Sequence, residues 1–264
     1  MSNTPDTNNN VFCKKLFKPI VWIDCEMTGL NHIDDHIIEI CCIITDGNLN
    51  VVDPKGYESV IHYSKEILDN MNEWCVEHHG SSGLTEKVLT SDKTREQVED
   101  ELLSYIKSYI PDERKAVLAG NSIHMDRLFM LKEFPKVIEH LFYRLIDVST
   151  IMEVCYRHNP ELQYVAPRKV TAHTARSDIL ESIAQLKWYE EHYLKNRNEV
   201  EGYIEQRNKE LGNNLTIKNN EKLLKDDTVG DSTADVVSSL KRKLQEEKDE
   251  HNENSNTVKS SKKV

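Results

Sequence analysis

Apolar and polar positions along this chain alternate in short runs and stripes that predict one folded body. Val21-Trp22-Ile23 is an apolar run inside a strand over residues 19–27, of the kind that buried strands show. A second strand covers residues 36–45 and runs into the turn signal Asp46-Gly47-Asn48. Residues 56–63 alternate enough for a third strand, and 65–79 and 94–109 read as helices. Further on, the pattern predicts a strand over 116–120, a helix over 122–134, a strand over 145–148 and a helix from about 149 to 157. Residues 160–170 read as a loop. A long helix over 177–196 follows, with Ile179, Ile183 and Leu186 on one stripe. Three strands followed by alternating helices and strands predict an α/β fold, a mixed sheet with helices on both faces.

The pattern has clear ends. Residues 1–17 are Asn-rich and polar and predict a disordered N-terminus, leaving 18–196 as the folded domain. Beyond 196 the periodicity degrades. Residues 197–211 extend or follow the closing helix, and Val236, Leu240 and Leu244 could mark one short amphipathic helix. Most of 212–264 has too little apolar surface to offset the entropy of ordering, so 197–264 reads as a charged, largely disordered tail. Lys241-Arg242-Lys243 within it reads as a solvated charge run rather than a targeting patch.

Candidate chemistry begins where the first strand breaks its own apolar rule. Asp24 and Glu26 stand at i and i+2, so both project from one face of the strand. Like charges side by side repel, and burial raises the cost. A divalent cation between them is a remedy, and hard cations such as Mg²⁺ and Mn²⁺ take carboxylate oxygens. A strand edge with both groups in water is the bland alternative. Asp126 lies in the first turns of the helix that opens near Ser122. His173 and Asp178 lead into the long helix, with Ser177 as its expected N-cap. Taken singly, Asp178 is good helix-start chemistry and His173 is a loop histidine.

Taken in order, Asp-x-Glu, Asp and His-x4-Asp resemble the DEDDh 3′→5′ exonucleases. The surrounding stretches, WIDCEMTGL (22–30), IIEI (37–40), GNSIHMD (120–126), YRLIDVST (143–150) and HTARSDILESIAQL (173–186), are similar to the oligoribonucleases in order and spacing. The HMD variant and PRKVTAH look more like the eukaryotic members. The resemblance covers roughly residues 18–195 and implies the ribonuclease H-like fold. It implies two divalent ions, Mg²⁺ or Mn²⁺, held by Asp24, Glu26, Asp126 and Asp178, with His173 as the base. It also implies that Leu30, Trp74 and His79 flank the bases. Ser122, Arg144 and Ser149 then cap the 5′-terminal phosphate, and Tyr143 reaches a neighbouring subunit in a homodimer. For Trp74 the plain alternative is core packing, and for Tyr143 an ordinary strand aromatic. The implied substrate is very short single-stranded RNA, and the implied compartment is the mitochondrion. Yet Asp6 and the lack of any Arg before Arg95 make a poor transit peptide, so cytoplasmic and nuclear locations stay open. His124-Met125 stands where bacterial members have Gly-Gln, so a contact from that glutamine is absent or made differently.

Charge sharpens the substrate class. The net charge is −11, and residues 1–196 carry −10 of it. Proteins that track long polyanions display a basic groove. An acidic body fits a short substrate held by a few local contacts. It disfavours a relative acting on longer or structured RNA, and the complete set of carboxylates disfavours a catalytically dead RNA-binding protein. No run approaches the ~18–20 apolar residues of a membrane span. The six cysteines lack C-x2-C pairing and point to a reducing compartment. Cys75, His78 and His79 lack the second ligand pair a zinc site needs.

Overall fold

The computed structural model describes residues 16–167 and 174–210. Five strands form one sheet: β1 (Ile20–Met27), β2 (Ile37–Thr45), β3 (Tyr57–Val60), β4 (Val117–Gly120) and β5 (Phe142–Asp147). Their order is β3-β2-β1-β4-β5. β2 is antiparallel to both β1 and β3, whereas β4 is parallel to β1 and to β5. The sheet is mixed, as its sequence pattern predicts.

Strand alternation sorts the core into two layers. Val21, Ile23 and Cys25 face a cluster built with α4 (Arg95–Tyr109), α5 (Ile123–Glu133) and α6 (Pro135–His140). Ile20 and Trp22 face the other cluster, with α7 (Val148–His158) and α9 (Ala175–His192). Helices therefore cover both faces. The same parity assigns Asp24 and Glu26 to the α9 face.

Several elements depart from their predicted bounds. The helix predicted over 65–79 is two, α1 (Lys65–Asp69) and α2 (Glu73–Ser81). Asn72 between them caps α2 by accepting from the Cys75 N–H at 3.0 Å, and such a cap fixes a new helix start. α3 (Leu84–Thr90) was not predicted; Leu84 and Val88 bury against Ile38 and Leu68. Pro135 starts α6 directly after α5, a position that suits proline's fixed φ and missing N–H. β5 begins at Phe142 rather than 145. The predicted loop over 160–170 holds a short helix, α8 (Pro160–Tyr164). α9 starts earlier than predicted: Thr174, not Ser177, is its N-cap, and Ser177 completes the capping box. After α9, α10 (Arg197–Glu210) follows as a separate helix. The chain divides into two units after Gly202.

Candidate active site

β1 delivers its carboxylates where the sheet opens. Asp24 and Glu26 are both half-buried, while Cys25 between them is buried. Asp126, in the first turn of α5, is buried and accepts a hydrogen bond from the Cys25 N–H at 3.0 Å. That bond brings α5 onto the strand that carries Asp24 and Glu26. Asp178, in the first turn of α9, is half-buried and close enough to raise the Glu26 carboxyl. Three elements distant in sequence thus bring their carboxylates to one end of the sheet.

The cost shows in the protonation equilibria. Burial pushes the Glu26 carboxyl up to about 7, and the negative charges of Glu39, Asp178 and Asp126 push the same way. Burial likewise raises Asp126 to about 7, against the opposing Cys25 N–H bond. These hard oxygen donors, raised by burial and mutual repulsion, are what a divalent cation would relieve. Among the described residues, however, no three His, Cys, Asp or Glu side chains close into a group that could hold a metal ion.

Glu26 also lines a small cleft of about 60 Å³ with Glu39, His79, Lys87 and Thr174. Glu26 and Glu39 are direct partners across β1 and β2, a pairing that like charges disfavour. Lys87 of α3 lies 4.0 Å from Glu39 and offsets part of that repulsion. His79 is 1% exposed; its Nε2 bonds the Met27 carbonyl at 2.9 Å and its Nδ1 lies 4.0 Å from Glu26. It sits beneath the site, in reach of Glu26. His173 lies outside the described residues. Lys87 has no signal in the sequence, because nothing there marks α3.

Two apolar side chains stand clear of the core. Leu30 is 77% exposed and Trp74 is 65% exposed, its ring stacked on His78 at 4.6 Å. Trp74 is therefore not a core residue, and the plain alternative for it fails.

Ser122 and Ser149 meet in a second cluster. Ser122 adopts a left-handed φ of 52°, costly for a residue with a Cβ. The strain is held by its N–H, which donates to Asp147 Oδ1 at 2.9 Å and Ser149 Oγ at 3.0 Å. Asp147 caps α7 through the Ser149 N–H and meets His124 Nδ1 through its other oxygen. Asn121 accepts from Ser149 and donates to Ser182 on α9. The sequence reading missed Asp147; its signal was an acidic residue at a helix-start position. Arg144 does not join the serines. It donates to Tyr143 Oη at 3.2 Å and lies over the Tyr143 and Phe142 rings, with Tyr143 itself exposed.

Comparison with known proteins places this geometry. The exonuclease family of the RNase T type matches residues 21–186. A Saccharomyces cerevisiae protein called "Oligoribonuclease, mitochondrial" is 65% identical over 207 residues, 76% of this chain and 75% of its own. The chain belongs to the oligoribonuclease family. A second eukaryotic oligoribonuclease, a probable one of Schizosaccharomyces pombe, is 49% identical over 70% of this chain and 73% of its own. The oligoribonuclease fold is also seen in zinc-bound Exonuclease I of E. coli with single-stranded DNA. That likeness has a TM-score of 0.50 at 16% identity, over 67% of this chain and 41% of that longer one. It concerns the fold alone, the ribonuclease H-like exonuclease sheet. Among the described residues no helix of this oligoribonuclease is long and apolar enough to cross a membrane.

Proposed function

We propose that this chain is a 3′→5′ exoribonuclease that hydrolyses very short oligoribonucleotides, down to dinucleotides, to nucleoside 5′-monophosphates. The observation that carries the reading is the convergence of β1, α5 and α9 at one end of the sheet, with Glu26 and Asp126 raised to about 7. Kinship with named oligoribonucleases supports the substrate class.

In this reading Asp24, Glu26, Asp126 and Asp178 hold two divalent ions, Mg²⁺ or Mn²⁺. Such ions supply charge neutralisation for the carboxylates and for the phosphodiester. His173, whose ordinary pKa is near 6.5, takes the proton from the attacking water. Attack on phosphorus then breaks the bond to the 3′-oxygen and frees the terminal 5′-monophosphate. Leu30 and Trp74 flank the bases, as their exposure allows, and His79 supports that pocket from below. Ser122 and Ser149, joined through Asp147, cap the 5′ phosphate together with Arg144, whose planar fork suits phosphate oxygens. For Arg144 to join them, its side chain must leave the Tyr143 ring. The catalytic body spans 18–196, with the charged tail beyond it. Tyr143, exposed on β5, serves a homodimer, and the compartment is the mitochondrion, as the name of the S. cerevisiae relative suggests.

Length selectivity tests the reading. A capped 5′ phosphate fixes the distance to the carboxylates, and an acidic surface gives a longer strand little in return. In competition kinetics with metal present, the dinucleotide should exceed a twenty-nucleotide RNA in kcat/KM. Equal or faster turnover of the long RNA would favour an exonuclease acting on longer 3′ ends.

A further inference from the structure

The loop joining β1 to β2 carries Leu30, and this loop is held in two independent ways. The first is internal. Thr28 Oγ1 donates to Asp35 Oδ1 at 3.0 Å, and the Asn31 N–H donates to Asp35 Oδ2 at 2.9 Å. The Thr28 N–H donates to the His36 carbonyl at 2.9 Å and closes the base of the loop. The Asp35 carboxylate fills the space beside Gly29 so fully that a Cβ there would stand 2.3 Å from Oδ2. A side chain at 29 would displace the Asp35 carboxylate from this clamp.

The second hold ties the loop to the last turn of α5. The Lys132 ammonium donates to the carbonyls of Asp35 at 2.5 Å and Ile33 at 3.3 Å, and lies 3.3 Å from Glu133 Oε1. Two of the ammonium's three N–H groups thus meet loop carbonyls, and the Glu133 carboxylate lies within ion-pair distance. Glu133, fully buried, accepts from the Ile37 N–H at 2.9 Å and meets His36 Nδ1 at 2.9 Å. α5 is also the helix of Asp126, six residues earlier, or about 9 Å along the axis. One rigid element thus links the carboxylate site to the backbone beneath Leu30.

We propose that Asp35 and Lys132 are positioning residues: they hold the 28–36 loop so that Leu30 stands ready to pack against the substrate's bases. The inference rests on the reading of Leu30 as a base contact. Neither Asp35 nor Lys132 touches substrate; both act through Leu30. A leucine so exposed gains little from its own packing, so its position depends on the backbone that carries it.

Steady-state kinetics on a dinucleotide with Mn²⁺ test it. Lys132→Met keeps the apolar stem and removes the three donors. It should raise KM roughly tenfold, the size of one lost hydrogen-bonding interaction, with kcat within about twofold and an unchanged Mn²⁺ requirement. Asp35→Asn, which leaves Lys132 in place, should show the same split and serves if Lys132→Met does not fold. The deciding comparison is the double variant Leu30→Ala/Lys132→Met. If Lys132 acts through Leu30, its KM should match that of Leu30→Ala alone, because coupled residues are non-additive. Multiplying effects, a fall in kcat, or an unchanged KM in Lys132→Met and Asp35→Asn while Leu30→Ala raises it would overturn the positioning role. An unchanged KM in Leu30→Ala itself would overturn the base-contact reading, and this inference with it.

Discussion

β1 and β2 lie side by side and have opposite characters. All nine residues of β2 are buried, Glu39 included. β1 is buried through its first four residues and then opens at Asp24, Glu26 and Met27. The two strands share one ladder, from Ile20 opposite Thr45 to Met27 opposite Ile37. The ladder slips between Glu26 and Met27, so charged side chains and a local backbone irregularity together mark where β1 opens. β2 and the first half of β1 supply apolar burial, and the second half of β1 carries charges that burial penalises. The comparison teaches that the candidate site sets charges that burial penalises beside the most fully buried strand of the sheet.

The sharpest test of this contrast is to remove the charges. Asp24→Ala, Glu26→Ala, Asp126→Ala or Asp178→Ala should each abolish dinucleotide hydrolysis while circular dichroism and melting show an intact fold. Substantial Mg²⁺-dependent activity in any of the four would break the assignment.

The mirror experiment belongs to β2. Ile40 is fully buried, and Ile40→Ala should lower unfolding free energy by about 2–5 kcal/mol. Activity per folded molecule should survive. A loss of activity without a loss of stability would erase the distinction between the strands.

A pH series probes the stability cost of the β1 carboxylates. Glu26 and Asp126 are raised to about 7, chiefly by burial. A carboxyl raised on folding adds stability in full below its ordinary pKa, near 4, and that stability is lost as pH rises through the folded value. In chelator-treated buffer the stability contributed by these two carboxyls should therefore fall between about pH 4 and pH 7. Glu26→Gln should melt higher than the parent at pH 8, by up to about 3 kcal/mol, and equally at pH 4. No gain at pH 8 would show that Glu26 bears no such cost.

The smallest effect tests the first half of β1 as ordinary core. Trp22 Nε1 donates to Thr45 Oγ1 at 3.0 Å across the two strands, with both residues buried. Thr45→Val leaves that donor unpaired and should cost about 1–2 kcal/mol with kcat unchanged. A changed kcat would mean that this end of the strand also serves the site.

Local pattern explains how much of this was legible in advance. The first two strands, α4, α5 and α7 lie within a few residues of their expected places, because each has strong periodicity or a capping residue. The helix over 65–79 was misread because Asn72 caps from within an otherwise helical stretch. α3 and α8 were missed because they are only 7 and 5 residues long, too short for a period to declare itself. Trp74 was open to a core reading because composition cannot show which face of α2 lacks a partner.

What sequence alone determined follows from spacing along one chain. It placed Asp24 and Glu26 on a common strand face, buried β2, set an acidic body before a charged but nearly balanced tail, and carried the motif order that marks the family. Contacts between distant segments were decided only in three dimensions. Asp126 reaches the Cys25 N–H across 101 residues, Asn121 meets Ser182 across 61, and Lys132 grips the Asp35 carbonyl across 97. Each such bond satisfies a polar group that packing would otherwise strand. Its partner is chosen by which elements the sheet order brings together, and no local pattern in the chain encodes that choice.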